Sequence, residues 1–181
     1  IDLFKIPDRK EAIESAIEMA ARGDMVLITG KSHEKSMNYG KGEIPWDEYG
    51  IDVVIDATGA FVKKPDLEQH IRGSVKKVIL TAPSKDDETP HILLGVNDST
   101  FDYDSCSVIS NCSCTTNCAS PMFKVLHDSF KVISGTLTTI HAMTLTQSML
   151  DDTGKSFDRS RSAVLNIVPS TSGAAKAVVK T

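Results

Sequence analysis

The stretch that decides the interpretation of this chain is Ser110-Asn111-Cys112-Ser113-Cys114-Thr115-Thr116-Asn117-Cys118. It joins a β-branched run, Ser107-Val108-Ile109, to a helical run, Met122–Leu126. A cysteine at the point where a strand is followed by a helix lies beside free backbone N–H groups and the positive end of the helix dipole. Both favour the thiolate, which is the nucleophilic form of cysteine. We therefore expect Cys114 to carry out covalent chemistry.

Apolar runs typical of buried strands alternate with helical runs on the N-terminal side of this stretch. The runs with strand character are Met25–Thr29, Ile51–Asp56, Lys77–Thr81 and His91–Val96. An amphipathic helix is predicted over residues 8–21 and a short helix over residues 65–71. Strands that are apolar on both faces and are connected by helices indicate an open, mostly parallel α/β sheet.

The fold class predicted from this pattern is α/β. Ligands of such sheets bind beyond the carboxyl ends of the strands. We therefore expect the loops Thr58-Gly59 and Thr81-Ala82-Pro83 to line one crevice.

Composition narrows the class of protein. The chain has 181 residues, of which 40% are hydrophobic and 24% are charged, and its net charge is −4. These values predict a globular protein without the basic surface that nucleic acid requires, and no apolar run is long enough to span a membrane. The four cysteines all lie between Cys106 and Cys118, so a disulfide framework is not expected. A reducing compartment, the cytoplasm, is the predicted location.

The first part of the chain resembles the C-terminal domain of the Mur ligases, which extend the peptide of the bacterial cell wall. The resemblance lies in three segments, Pro7–Ile13, Gly23–Ile28 and Gly30–Glu34. It implies a Mur-ligase-like segment over residues 1–49, in which Glu34 would help to hold an amino acid. The family's ATP-binding centre and Asn-Pro-Arg motif are absent from this sequence, and the favoured interpretation of residues 31–43 is a solvated loop.

Residues 44–181 resemble the phosphorylating glyceraldehyde-3-phosphate dehydrogenases. The motifs are Thr58-Gly59, Thr81–Ser84, Gly95–Asn97, Ser110–Cys118, Thr138–His141, Arg159–Arg161 and Gly173–Val178. The resemblance implies a partial doubly wound, Rossmann-like parallel sheet, which is the remainder of an NAD-binding domain, over residues 50–113. It also implies the start of an α+β catalytic domain, its N-terminal part, over residues 114–181. The two resemblances meet at Ile44–Glu48. We therefore expect a chimeric chain whose dehydrogenase part is truncated at both ends.

His141 is the predicted base for Cys114. It follows Cys114 by 27 residues and ends the run Lys131–Ile140, which has strand character. A helix followed by a returning strand would bring His141 beside the cysteine, where it can take the thiol proton. In the resembled family this pair forms a thiohemiacetal with the aldehyde and then a thioester, which inorganic phosphate attacks, as a step of glycolysis.

The resemblance also implies two sites for anions, formed by hydroxyl groups and an arginine. Thr144 and Arg159 would bind the phosphate of glyceraldehyde 3-phosphate. The attacking phosphate would be bound by Ser113, Thr115, Ser172 and Gly173. Arg161 is either a further phosphate ligand or a salt-bridge partner.

The implied cofactor is NAD, and NADP is not excluded by the sequence. The positions that match family residues around the cofactor are Thr58, Gly59, Phe61 and Thr81. The chain contains no Gly-x-Gly-x-x-Gly turn to cradle the pyrophosphate. We therefore expect a chain derived from a homotetrameric NAD-dependent dehydrogenase that is itself inactive.

Three other functions are compatible with parts of the sequence. Cys112, Cys114 and Cys118 could form a zinc or iron–sulfur site, although the spacing lacks a paired C-x-x-C and a fourth ligand. Cys114 and His141 could belong to a cysteine hydrolase. The chain could also be a folded fragment without catalytic activity.

Overall fold

The fold is built on a parallel β-sheet. The computed structural model describes residues 9–19, 27–29, 46–144, 146–153 and 156–181. Within them the sheet has four strands in sequential order, namely β1 (Leu27–Thr29), β2 (Val53–Ala57), β3 (Lys77–Leu80) and β4 (Val108–Ser110). All three strand pairs are parallel. The predicted α/β class is therefore confirmed.

Four α-helices accompany the strands in the described residues, α1 (Arg9–Met19), α2 (Lys64–Leu67), α3 (Cys114–Phe130) and α4 (Ala174–Lys180). A 3-10 turn, Glu68–His70, extends α2. Helix α3 begins at a serine cap and ends at Lys131, which adopts a left-handed conformation with φ 56°. Helices α3 and α4 pack against each other.

The hydrophobic core lies where the sheet meets the segment around α2. Val54, Val78 and Val108 are buried at neighbouring positions on β2, β3 and β4. Trp46 and Leu67, which are 1% and 0% exposed, cover this side of the sheet. A strand buried between neighbours needs apolar side chains on its faces, and the sequence provides them in each run.

Most predicted elements are found close to the predicted positions. Strands β2, β3 and β4 and helix α2 fall within one or a few residues of the expected bounds. The run His91–Val96 is different, because it contributes only an isolated bridge between His91 and Ser110. Because the strand order is sequential, the described sheet contains no point at which the order reverses.

The strand predicted over Lys131–Ile140 is wrong. The segment has no regular secondary structure, and Ile133 and Ile140 are fully exposed. A β-strand is stable only when its backbone pairs with a neighbouring strand. The described part of the chain offers this segment no such neighbour, so its β-branched composition does not produce a strand.

Some predictions fall on residues that the structure does not describe. They include Glu34, the start of the first predicted strand at Met25, and the meeting point of the two resemblances at Ile44 and Pro45. In the portion that is described, no helix has the length and apolar character needed to cross a membrane.

Candidate functional site

Cys114 is the first residue of α3 and follows directly after the turn from β4. The serine before it caps the helix, because Ser113 Oγ accepts a hydrogen bond from the Thr116 N–H at 3.0 Å. Serine is one of the preferred N-cap residues for this reason. Cys114 is exposed, so its thiol is accessible at the end of the helix where the dipole is positive.

His141 lies beside the thiol, as the sequence predicts. The distance between Cys114 Sγ and His141 Nε2 is 3.3 Å. The other ring nitrogen, Nδ1, is 2.7 Å from the Ala142 carbonyl oxygen. A carbonyl can only accept, so Nδ1 carries a proton and Nε2 is left to exchange a proton with the thiol. The exposed segment after α3 returns to the cysteine without forming a strand.

The environment of both groups favours a thiolate beside an imidazolium. The hydrogen bond with His141 is the largest effect and lowers the pKa of the Cys114 thiol. Partial burial opposes it, and hydrogen bonds from Thr115 act in the same direction as His141. The pKa of His141 is raised, first by the Ala142 carbonyl and then by Cys114. A thiolate with an adjacent base is the arrangement that activates cysteine nucleophiles.

The other cysteines of the stretch have different environments. Cys112 is buried, and burial raises the pKa of its thiol to about 11. Cys118 is exposed one turn further along the helix from Cys114. Among the residues with a described structure, no group of three or more His, Cys, Asp or Glu side chains could hold a metal ion. The alternative of a cysteine metal site therefore has no ligand set in that part of the chain.

The two predicted ligands of the substrate phosphate, Thr144 and Arg159, both contact the hydroxyl group of Thr146. The guanidinium of Arg159 donates to Thr146 Oγ1 and, at 2.6 Å, to Ser170 Oγ. Thr144 Oγ1 lies 3.3 Å from the same Thr146 oxygen. Arg161 instead forms an exposed ion pair with Asp151 at 3.3 Å, which supports the salt-bridge interpretation of that residue.

The residues predicted for the attacking phosphate fall at two helix starts. Ser113 caps α3, and Thr115 lies in its first turn. Gly173 precedes α4, and Ser172 Oγ accepts a hydrogen bond from the Ala174 N–H at 3.1 Å. No hydrogen bond between the described residues joins the two groups.

The four predicted cofactor positions lie at the carboxyl edge of the sheet, but only two of these residues are exposed. Thr58 is buried, and its N–H and hydroxyl both donate to Asp56 Oδ1, at 2.9 and 2.7 Å. Phe61 makes an edge contact with the ring of His70. Gly59, with φ 70°, and Thr81 are exposed there.

The loops after β2 and β3 are adjacent, as predicted, because Thr81 donates through its N–H and its hydroxyl to the Asp56 carbonyl. The left-handed Gly59 has no Cβ and allows a flat ligand to approach its backbone. The residues present therefore fit one edge of a dinucleotide. Gly59 and Thr81 would contact it, whereas Thr58 and Phe61 hold the loop in place.

Several residues with a part in these sites were not predicted from the sequence. Thr146 and Ser170 complete the hydroxyl cluster around Arg159, and the only signal for them is the richness of this region in threonine and serine. Asp56 and His70 brace the loop that contains Gly59. Asp56 Oδ2 and His70 Nε2 are 3.5 Å apart, which is within ion-pair distance, but they form no hydrogen bond.

Comparison with known proteins identifies relatives for most of the chain. The sequence profile of the family described as "Glyceraldehyde 3-phosphate dehydrogenase, C-terminal domain" matches residues 113–181. The glyceraldehyde-3-phosphate dehydrogenase of Streptomyces coelicolor is 45% identical over 160 residues, which are 88% of this chain and 47% of that protein. The Bacillus cereus glyceraldehyde-3-phosphate dehydrogenase 1 is 42% identical over 161 residues, which are 89% of this chain and 48% of that protein.

A chloroplastic relative is equally similar. The glyceraldehyde-3-phosphate dehydrogenase of Chondrus crispus is 44% identical over 161 residues, which are 89% of this chain and 39% of that protein. The chain spans about half the length of the curated relatives it matches, or less. The comparisons give no support to the Mur-ligase resemblance of residues 1–49, which stays a prediction.

Proposed function

Because the chain belongs to the glyceraldehyde-3-phosphate dehydrogenase family, we propose that Cys114 and His141 are the nucleophile and base of a phosphorylating aldehyde oxidation. The observation that carries this proposal is the distance of 3.3 Å between Cys114 Sγ and His141 Nε2. The pair lies at a capped helix start, where the thiolate gains from the helix dipole as well as from the histidine.

The first step uses only groups of this chain. Cys114 gives its proton to His141 Nε2, and the thiolate attacks the carbonyl carbon of the aldehyde. The imidazolium then returns the proton to the oxygen of the adduct, which gives a thiohemiacetal. The Ala142 carbonyl stabilises the imidazolium through Nδ1–H, so both proton transfers occur at one fixed nitrogen.

Conversion to the thioester removes a hydride from the adduct carbon and a proton from its hydroxyl group. His141 is positioned to take the proton. NAD, when bound along Gly59 and Thr81, would supply the acceptor for the hydride. Inorganic phosphate then attacks the thioester carbon, and the Cys114 thiolate leaves with the electron pair of the broken carbon–sulfur bond. The product is an acyl phosphate.

The proposed substrate is glyceraldehyde 3-phosphate. Arg159 provides the positive charge and, with Thr144, Thr146 and Ser170, a group of hydrogen-bonding partners for its phosphate. Planar guanidinium groups bind phosphate in a directional manner. Ser113, Thr115, Ser172 and Gly173 are proposed for the attacking phosphate. The homotetrameric assembly, the choice of NAD, the cytoplasmic location and the inactivity of this chain stay predictions.

The proposal can be tested without the cofactor, because thiohemiacetal formation needs only the aldehyde. We would follow labelling of Cys114 by iodoacetamide, resolved by peptide mass spectrometry, with glyceraldehyde 3-phosphate or unphosphorylated glyceraldehyde present. The phosphorylated aldehyde should protect Cys114 at a concentration at least about tenfold lower, since hydrogen bonds to charged groups contribute roughly 1.5–3 kcal/mol.

Two arginine variants provide a matched control. Arg159→Ala should abolish the preference for the phosphorylated aldehyde, whereas Arg161→Ala should retain it, since Arg161 is paired with Asp151. Labelling of Cys114 that is equally fast with and without either aldehyde would overturn the proposed covalent role.

A further inference from the structure

The turn that precedes the nucleophile contains a residue in an unfavourable backbone conformation. Cys112 has φ 61°, in the left-handed region that only glycine and, less often, asparagine or aspartate adopt easily. Its side chain is 2% exposed, so the residue is held in this conformation inside the protein. The turn directs the chain from β4 into α3 and so fixes where Cys114 points. Contacts with neighbouring residues must therefore stabilise the left-handed conformation of Cys112.

The side chain of Asn117 brackets this residue. Its Nδ2 donates to the Asn111 carbonyl at 2.7 Å and to the Ser113 carbonyl at 3.0 Å. These are the carbonyls of the residues on either side of Cys112. Both can only accept, so the contacts require the two N–H groups of the amide and exclude its oxygen. One side chain therefore holds both ends of the left-handed turn.

The remaining contacts fix the ends of the turn separately. On the strand side, the Asn111 N–H donates to the Leu80 carbonyl at 2.9 Å, and Ser110 Oγ accepts from the Cys112 N–H at 3.1 Å. On the helix side, Ser113 caps α3. Asn117 is the residue whose side chain connects the two sides across Cys112.

The Asn117 side chain is not needed for the helix itself. Its backbone N–H already donates to the Ser113 carbonyl at 2.9 Å, as expected for the fourth residue after the cap. The side-chain amide is exposed and adds a bond to Asn111, which lies outside the helix. Its contribution is therefore to the turn.

We propose that Asn117 is a positioning residue for Cys114, acting by holding Cys112 in the left-handed conformation. The inference rests on the proposed function of Cys114. It assigns to Asn117 an effect on the reactivity of the thiol, transmitted through the turn and not through contact with the substrate.

The test compares thiol labelling in the wild type and in Asn117→Leu, which keeps the size and neutrality of the side chain but cannot donate. Iodoacetamide labelling of each cysteine is followed from pH 5 to pH 9. Asn117→Leu should slow the labelling of Cys114 about tenfold near pH 7, because both hydrogen bonds of the Asn117 amide are lost, and move its pH profile upward. Buried Cys112 should become easier to label. Cys118, on the same helix, should be labelled at the wild-type rate, which shows that α3 is intact.

A second substitution separates positioning from a general structural effect. Cys112→Gly in the Asn117→Leu background should restore the labelling rate of Cys114, because glycine adopts the left-handed conformation without strain. Cys112→Ala in the same background removes the sulfur but keeps Cβ, and should not restore it. Equal restoration by both would overturn the proposal, as would an unchanged Cys114 profile in Asn117→Leu.

Failure of the proposal for Asn117 can be distinguished from failure of the proposed function of Cys114. If Cys114 of the wild type is labelled no faster than Cys118, the activated-thiolate role is wrong. The labelling of Cys112 then decides the case of Asn117 alone, since accessibility of the buried thiol does not depend on the nucleophilicity of Cys114. If Cys112 is labelled no faster in Asn117→Leu than in the wild type, Asn117 does not hold the turn around Cys112.

Discussion

At the residue scale, cysteines that are close together in the sequence occupy different environments. Cys114 and Cys112 are two residues apart, yet one thiol is exposed at a helix start beside a histidine and the other is buried before the helix begins. Their pKa values therefore move in opposite directions. Reactivity in this stretch is set by the turn that places each thiol, and not by the amino acid alone.

Cys112 is expected to be inert in the folded protein. With a pKa of about 11, only about one thiol in a thousand is ionised at pH 8, and its burial excludes reagents. Reaction with Ellman's reagent at pH 8 should leave Cys112 unmodified in native buffer and modify it after guanidinium is added. Rapid modification of Cys112 in the native protein would show that the buried environment is wrong.

The sequence was informative about which two side chains meet at the start of α3, and less informative about the residues around Arg159. Cys114 and His141 were predictable because the stretch Ser110–Cys118 and the motif ending in His141 fix both positions. The role of Thr146 was not predictable, because it depends on where Arg159 lies in the folded protein and not on the neighbouring sequence. Side chains that act on other side chains leave little trace in local sequence patterns.

At the scale of the elements, the start of α3 determines the site. Ser113→Ala removes the side-chain acceptor for the Thr116 N–H and should lower the free energy of unfolding by about 1 kcal/mol. Ser113→Asp retains a capping oxygen and should remain close to the wild type. Urea denaturation followed by circular dichroism measures both, and equal losses in the two variants would show that the cap does not stabilise the helix.

The loop after β2 depends on an ionised carboxylate. Burial opposes the charge of Asp56, but the adjacent His70 side chain and the hydrogen bonds from Thr58 outweigh it and lower the pKa of the carboxyl group. A lowered pKa in the folded state contributes stability above the unfolded-state value of about 3.9, and this contribution is lost as the pH falls through the folded-state pKa.

We therefore expect Asp56→Asn to lower the free energy of unfolding by about 1–3 kcal/mol at pH 7, and by progressively less below about pH 4. Urea denaturation at pH 7, 5 and 3.5 measures this difference. The exposed Asp104→Asn provides a control for general charge effects. A difference that stays constant over the whole pH range would contradict the role of the ionised carboxylate.

Elements of the sheet were predicted well because strands between neighbours must be apolar on both faces. The close agreement between the predicted runs and strands β2, β3 and β4 follows from this requirement. The segment Lys131–Ile140 is also rich in β-branched residues, yet it forms no strand because it has no partner among the described residues. Composition indicates the tendency to form a strand, and pairing decides the outcome.

At the scale of the whole molecule, the regions around the site differ in how firmly they are held. The sheet and α2 share a buried core. By contrast, residues 133–140 make no backbone hydrogen bond to other described residues, and His141 is attached to the rest through its contact with Cys114. A basic residue of α4, Lys180, joins the loop at Asp87 through an ion pair of 2.6 Å, which is exposed and contributes little.

This difference predicts the order of proteolysis. Between residues 46 and 144, proteinase K should cleave first within residues 133–140, because an exposed backbone without hydrogen bonds fits a protease most easily. Mass spectrometry of the early fragments identifies the site. First cleavage within α3 or the loop 81–90 would contradict the description of the segment.

The central claim is that His141 activates Cys114, and the pH dependence of Cys114 labelling tests it most directly. Iodoacetamide labelling rates of Cys114 and Cys118 would be measured from pH 5 to pH 9 in the wild type and in His141→Asn. Because the hydrogen bond with His141 lowers the pKa of the thiol, labelling of Cys114 should persist to lower pH than that of a free thiol, whose pKa is about 8.5. His141→Asn should move this profile toward higher pH and leave Cys118 unchanged, whereas a Cys114 profile that is the same in both proteins would contradict the account.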